Sequence, residues 1–204
     1  QNSLQQLFTR PDHTILEESE PIAQALNETR RMKGLTEDLL TLARSDSNQL
    51  LLQKEVIEPK VFIQQLAQPF QEIAEMNEKQ FILENFADQP MMIDEKRIHQ
   101  VLVILLDNAL KYTDTKEKIV LQSEVSGDNW LIEVKNNGPS ISDEDKKHIF
   151  ERFYREDRSR SKETGGYGLG LAIAKQIISQ HKGKLTVRDW EPRGVVFQIK
   201  LPMK

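Results

Sequence analysis

The sequence predicts an α+β protein, a mixed α/β layer structure preceded by a long N-terminal helix. Three observations predict it. A stripe of apolar residues near a seven-residue repeat runs through the first quarter of the chain, as in helices that pack along one face. From Leu50 onward, strand-like alternation is interleaved with amphipathic helix patterns, the mark of sheet and helix layers packed together. Four of the nine glycines fall at 165–170, directly before another helix pattern.

The elements follow in chain order. Leu4, Leu7 and Phe8 sit at helical spacing, and Arg10-Pro11-Asp12 breaks the pattern. Thr14 and Glu17 form a capping box for a long helix to about Ser45, with Pro21 near its start. Ile22, Leu26, Thr29, Met32, Leu35, Leu39 and Leu42 are its stripe. Ser45-Asp46-Ser47-Asn48 reads as a linker, so the expected domains are 1–48 and 49–204. Residues 51–58 read as a strand, and Pro59 opens a helix striped by Phe62, Leu66, Phe70 and Ile73, with Pro69 expected to bend it. Residues 80–86 and 91–93 are short strands. Asp94 caps a helix with Ile98, Val101, Leu102, Leu105, Ala109 and Tyr112 on one side. Residues 118–125 and 129–135 alternate as a hairpin about Ser126-Gly127-Asp128. A short helix covers about 142–152, and the charged stretch 155–167 reads as a mobile loop. A helix at 168–182 and strands at 184–190 and 194–201 complete the chain.

Composition narrows the function. Charged residues make up 29% of the 204 and hydrophobic ones 38%, as in ordinary globular domains. The net charge of −4 offers no broad basic face for nucleic acid. The absence of cysteine excludes disulfides and thiolate chemistry. No apolar run reaches the roughly 18 residues of a membrane span, and no signal peptide is visible. Gln1 is not an initiator methionine, so the chain is expected to be part of a longer one.

Four stretches carry candidate chemistry, and each also has a plain structural reading. Thr164-Gly165-Gly166-Tyr167-Gly168-Leu169-Gly170-Leu171 is either a flexible loop or a phosphate cradle. Glycines admit close approach, and a helix N-terminus offers free N–H groups. Asn108, Lys111 and Tyr112 share a helix face. They are either a polar helix end or a set suited to a metal, a phosphate and a base. Asn136 ends the period-two row Trp130, Ile132, Val134. It either begins an Asn-Gly turn or places an amide in the core, which requires a partner. In Ile149-Phe150-Glu151-Arg152-Phe153-Tyr154-Arg155, Phe150 and Phe153 read as core and the arginines as surface.

Their order points further. Asn-x-x-Lys-Tyr, Asn-Gly-Pro-x-Ile, Phe-x-x-Phe-x-Arg and Gly-Gly-Tyr-Gly-Leu-Gly-Leu follow one another. Over residues 51–204 this resembles the ATP-binding domain of bacterial sensor histidine kinases, in the wider family shared with gyrase, Hsp90 and MutL. Arg30-Arg31-Met32-x-x-Leu35-x-x-Asp38-Leu39-Leu40-x-Leu42-Ala43-Arg44 resembles the second helix of the kinase dimerisation hairpin. The resemblance implies a two-layer α/β sandwich of the Bergerat type, a mixed sheet covered on one face by helices. It implies ATP and Mg2+ as cofactors, a homodimer in the full-length protein, and a response regulator receiver domain as partner. It also implies a cytoplasmic location, with membrane attachment only through regions outside this chain.

Carried over residue by residue, the resemblance implies that Asn108 ligates Mg2+, Lys111 meets the phosphates and Tyr112 packs near the adenine. Asn136 reads the adenine amine, Gly138 shapes that turn, Ile141 lines the pocket and Arg155 points at the γ-phosphate. Gly165, Gly166, Tyr167, Gly168, Leu169, Gly170 and Leu171 form the lid and the helix start that wrap the phosphates. Three positions depart from the pattern. Ile104 stands where the kinases usually have Asn, Asn136 where they have Asp, and Ser140 where they have Gly. The family's phosphoacceptor is a His followed by an acidic residue, and none of His13, His99, His148 and His181 fits. The acceptor is therefore expected upstream of Gln1, and the chain alone as a monomer or weak dimer. Two other functions compete with this one. A gyrase- or MutL-type ATPase needs a Glu at position 104, and Ile cannot act as a base. A degraded docking module would account for the changes at 104, 136 and 140 but not for the retained Lys111, Arg155 and glycines.

Overall fold

The structure, a computed structural model, describes residues 19–46, 51–155 and 167–203. The chain divides into two compact units, Gln1–Ser47 and Asn48–Lys204.

In the first unit, helix α1 spans Ser19–Asp46. The expected capping box at Thr14 lies outside the described residues. The stripe is largely uncovered: Ile22, Leu26, Met32 and Leu39 are exposed, and Leu42 is buried. Thr29 turns its hydroxyl back to the Ala25 carbonyl at 2.8 Å, so its polar atom is satisfied within the helix.

The second unit opens with strand β1 (Glu55–Ile57), helix α2 (Pro59–Met76), β2 (Gln80–Glu84), β3 (Met91–Ile93) and α3 (Glu95–Tyr112). It continues through β4 (Lys118–Ser126), β5 (Asn129–Asn136), the short α4 (Asp143–His148), α5 (Gly170–Gln180), β6 (Lys184–Asp189) and β7 (Val195–Pro202). Five strands form one mixed sheet in the order β2-β4-β5-β7-β6. The β2–β4 pair is parallel and the others are antiparallel. β1 and β3 form a separate antiparallel pair. Among the described residues no helix is long and apolar enough to cross a membrane.

Several elements are shorter than the sequence pattern predicts. The strand expected at 51–58 pairs only over Glu55–Ile57, because β3, its partner, is three residues long. β2 stops at Glu84 rather than at 86, since Asn85 takes a left-handed φ of 47°. The helix expected at 142–152 ends at His148, and Phe153 then adopts φ 64°. The helix expected at 168–182 starts only at Gly170, after Gly168 at φ 71°, and closes before Lys182 at φ 59°. α2 continues through Pro69 to Met76.

Period-two alternation places Trp130, Ile132 and Val134 on the buried face of β5, and all are fully buried. α2, α3 and α5 cover this face with Phe62, Ile63, Leu102, Leu105, Ile173 and Ile177. Each such side chain contributes about 1.5–3 kcal/mol by leaving water. Phe62 meets Trp130 edge-on at 6.4 Å, and the Trp130 indole N–H donates to Ser123 Oγ at 2.8 Å. The opposite face is polar. There Glu133 accepts from Arg188 at 2.9 Å and Gln198 at 2.7 Å, with Lys135 at 3.1 Å. Partial burial pushes the Glu133 carboxyl pKa up, but these donors outweigh it and hold it below the usual carboxylate range.

Candidate functional site

Two elements of the second unit build one end of the site. Asp94 caps α3 by accepting from the Arg97 N–H at 3.1 Å. Ile98, Val101, Leu102, Leu105, Leu106 and Ala109 bury one side of that helix. The other side carries Ile104, Asp107, Asn108, Lys111 and Tyr112. Asn108 is half-buried, and Lys111 and Tyr112 are exposed. Tyr112 is half exposed, so it stands with Asn108 and Lys111 and does not join the apolar side with Ile98 and Leu105, where the helical pattern also placed it. Burial pushes the Asp107 carboxyl pKa up, opposed by the nearby Lys111 ammonium.

β5 brings the second element. Asn136 lies opposite Ile119 and Val195 in the sheet and is only 3% exposed. Its side-chain amide has no hydrogen bond among the described residues. Gly138 then presses onto the end of α3. A Cβ there would lie 1.9 Å from the Tyr112 carbonyl oxygen, so only glycine permits the contact. This approach brings the chain, two residues past the β5 end at Asn136, against the C-terminus of α3 at Tyr112. The loop before β7 closes in from behind: the Asn137 amide donates to the Arg193 carbonyl at 2.9 Å. A Cβ on Gly194, at φ 146°, would meet the Asn136 carbonyl at 2.4 Å. Ile141 is half-buried just before α4.

α4 is held by its own charges. Ser142 caps it through Asp145, Lys146 pairs with Asp143 at 2.9 Å and reaches Asp189 at 2.6 Å, and the Tyr154 hydroxyl donates to Asp145 at 2.5 Å. Phe153 departs from the sequence reading. It is not core but exposed, because its positive φ turns the chain so that its N–H donates to the Gly168 carbonyl at 2.9 Å. A Cβ on Gly168 would lie 2.7 Å from the Tyr154 carbonyl. Phe150 does pack, edge-on to Phe197 at 6.4 Å and under Lys175 of α5 at 5.4 Å. Arg155, half-buried, follows Phe153 of this clasp by two residues.

Gly165 and Gly166 lie outside the described residues. Tyr167, Gly168, Leu169, Gly170 and Leu171 lead into α5, with Leu169 buried. Leu169 is the N-cap and supplies no side-chain cap, so the first-turn N–H groups have no partner from that side chain. Pairing of α3 with α5 sets this helix start beside Ile104. Sequence reasoning missed the Phe153–Gly168 clasp, the Arg193–Gly194 loop behind Asn136, and Asp107. The glycine of Pro192-Arg193-Gly194 was the one visible signal for the second.

A metal is the remaining element to test. Among the described residues no three His, Asp or Glu side chains converge as a cage. Mg2+ commonly takes one or two protein oxygens and leaves the rest to water and phosphate. The half-buried Asn108 amide, without a hydrogen bond among the described residues, fits that requirement.

Comparison with known proteins gives the same direction. The family described as histidine kinase-, DNA gyrase B-, and HSP90-like ATPase matches residues 93–204. Sensor protein CiaH of Streptococcus pneumoniae is 40% identical over 205 residues, 100% of this chain and 46% of CiaH. Sensor histidine kinase WalK of Bacillus subtilis is 35% identical over 184 residues, 87% of this chain and 30% of WalK. The chain thus spans less than half the length of the curated relatives it matches. The solved Acinetobacter baumannii histidine kinase AdeS superposes with a TM-score of 0.81 at 27% identity, covering 100% of this chain and 92% of that chain. Histidine kinase ThkA, solved in complex with the response regulator protein TrrA, gives a TM-score of 0.70 at 27% identity, covering 88% of this chain and 49% of that chain.

Proposed function

The chain belongs to the histidine kinase-, DNA gyrase B- and HSP90-like ATPase family, on its sensor histidine kinase branch, and from that premise we propose that residues 49–204 form an ATP-binding kinase core. It transfers the γ-phosphate of ATP to a histidine outside residues 1–204, for relay to a response regulator aspartate. The observation that carries this reading is Asn136. Its amide has no hydrogen bond to another described residue yet is not sealed from the surface, and it sits where Gly138 joins β5 to the Asn108–Tyr112 turn of α3. A polar group at the end of a core-facing row, still open to the surface, suits contact with a ligand.

In this reading Asn136 meets the adenine edge, with Ile141 and Tyr112 as apolar walls. Lys111 and Arg155 face the phosphates. Gly165, Gly166 and Gly168 supply the lid, and the N–H groups at Gly170 and Leu171 supply donors and the positive end of the α5 dipole. Asn108 holds Mg2+, which when bound neutralises phosphate charge. Phosphoryl transfer depends on positioning and charge more than on covalent chemistry, and these residues position and neutralise. None of the four histidines is followed by the acidic residue of a phosphoacceptor, which supports an acceptor supplied from elsewhere. ThkA, similar over 88% of this chain, was solved bound to a response regulator protein, which supports a response regulator as the next partner.

For the first unit, we infer the second helix of a dimerisation hairpin. Its uncovered stripe from Ile22 to Leu39 supports pairing in the full-length homodimer, and a monomer or weak dimer for residues 1–204. Light scattering at low micromolar concentration tests that state, and a tight dimer would contradict it.

Incubation with γ-labelled ATP and Mg2+ tests the main reading. The chain is expected to bind ATP in calorimetry and to acquire no acid-labile label. A longer polypeptide carrying the upstream helix is expected to label. Absence of ATP binding would overturn the proposal.

A further inference from the structure

Gly170 poses a question that the nucleotide reading leaves open. It is the first residue of α5, and its backbone is not in the left-handed region that requires glycine. Glycine weakens a helix relative to alanine, so a reason for it must lie in space. A Cβ at Gly170 would stand 3.1 Å from Ile104 Cγ2 and 3.9 Å from Ile104 Cγ1, and it meets no other described neighbour within 4 Å. Ile104 cannot yield easily. A β-branched residue inside a helix is confined to one strongly preferred χ1 rotamer, so its Cγ2 methyl stays under the start of α5.

We propose that Ile104 is a positioning residue for the phosphate end of the site, setting the height of the α5 N-terminus above α3. This role rests on the nucleotide reading. Asn108 lies one turn along α3 from Ile104, on the same side. The Ile104–Gly170 contact therefore fixes the spacing between the metal-facing amide and the first-turn N–H groups of α5. Glycine at 170 is the complement of isoleucine at 104.

Double substitution tests the coupling, with ATP and adenosine affinities read by calorimetry and folding by thermal unfolding. Gly170→Ala is expected to weaken ATP binding about tenfold, the scale of forcing a methyl into filled space. Adenosine, which lacks phosphates, is expected to bind as in the parent. Ile104→Leu removes the Cγ2 methyl while keeping the volume, so Ile104→Leu combined with Gly170→Ala is expected to restore ATP binding to within about threefold. Ile104→Val keeps that methyl and is expected not to rescue. Were Gly170→Ala unable to fold, Ile104→Ala alone decides, with weakened ATP and unchanged adenosine binding expected. The proposal is overturned by a Gly170→Ala protein that binds ATP normally. It is equally overturned if Leu at 104 gives no rescue, because alanine would then be clashing with the nucleotide itself. Parent protein that binds neither ligand would instead sink the nucleotide reading.

Discussion

Asp94 and His181 meet through backbone and ring: the Asp94 N–H donates to His181 Nε2 at 3.2 Å. The other ring nitrogen, Nδ1, lies 2.9 Å from the Ile177 carbonyl. A carbonyl only accepts, so Nδ1 carries the proton and Nε2 accepts, which makes the imidazole neutral. Asp94 also accepts from the Gln53 N–H at 2.9 Å. One buried histidine thereby ties the end of α5 to the start of α3, and the Asp94 carboxylate ties that start to the segment leading into β1.

This arrangement has a pH signature. Burial pushes the His181 pKa below 6.5; the Ile177 carbonyl and the Asp94 carboxylate pull upward, and Lys54 adds to the depression. Below the unfolded value the unfolded chain binds the proton that the folded one resists. Stability is then constant above about pH 7 and falls as pH drops through 6.5. His148 acts with the opposite sign, since hydrogen bonding to Glu151 raises its pKa against a smaller desolvation effect. Its contribution is present at low pH and fades as pH rises. Thermal unfolding from pH 5 to 8 in a His148→Asn background is expected to show the acid-side loss. Replacing His181 by Gln is expected to flatten it.

The buried indole of Trp130 makes a second prediction. Ser123 is 1% exposed and Trp130 fully buried, so no water replaces a lost acceptor. Ser123→Ala is expected to cost about 1–3 kcal/mol by leaving the indole N–H unsatisfied. Trp130→Phe removes both donor and volume. The double variant is expected to cost less than the sum of the singles, and strict additivity in denaturant unfolding would contradict the pairing.

Gly138→Ala is expected to abolish measurable ATP binding and lower stability by about 1–3 kcal/mol or more. The new methyl would have to displace the Tyr112 carbonyl, separating Asn136 from α3. Gly127 is the control. Its φ of 58° strains alanine, but nothing lies within 4 Å of the added Cβ. Gly127→Ala is expected to cost about 1–2 kcal/mol and leave ATP binding unchanged.

Arg155 stands just beyond the Phe153–Gly168 clasp. If it faces the γ-phosphate, Arg155→Ala is expected to reduce phosphoryl transfer about a hundredfold with a much smaller loss of ATP affinity. Transfer in trans to a longer kinase polypeptide, set against calorimetric affinity, separates the two effects. Equal losses would place Arg155 in binding alone.

Sheet and helix layers were legible because periodicity reports which side of an element is buried. The β5 row ending in Asn136 is the clearest case, since alternation alone predicts a buried amide. Strand ends were less legible. The stop at Glu84 comes from a left-handed Asn85, and alternation carries no information about φ. Phe153 misled for the same reason: helical spacing assumes a helix, and its backbone leaves one. Gly138 and Gly170 were visible as glycines, but their reasons lie in Tyr112 and Ile104, residues far along the chain that only the fold brings near. Ile104 was legible as a departure from the kinase pattern, and its complement at Gly170 was not.

The last prediction concerns Asn136 itself. Its amide oxygen can accept from the adenine amine, and its NH2 can donate to a neighbouring ring nitrogen. A carboxylate at this position would accept through a charge-assisted bond, stronger than a neutral one by about 1–2 kcal/mol. The opposing effect is desolvation: at 3% exposure an ionised carboxylate is costly. That cost falls on the folded protein before ATP arrives, and the adenine amine relieves part of it on binding. Asn136→Asp is therefore expected to lower the thermal midpoint of the free protein while strengthening ATP binding about tenfold. GTP is expected to gain nothing, because guanine presents an oxygen where adenine presents the amine, and oxygen opposed to carboxylate repels. Calorimetry of both nucleotides on both proteins reads the difference. Unchanged or weaker ATP binding by the Asp variant would mean that Asn136 does not touch the base. The adenine would then have to be sought elsewhere along the α3–β5 junction.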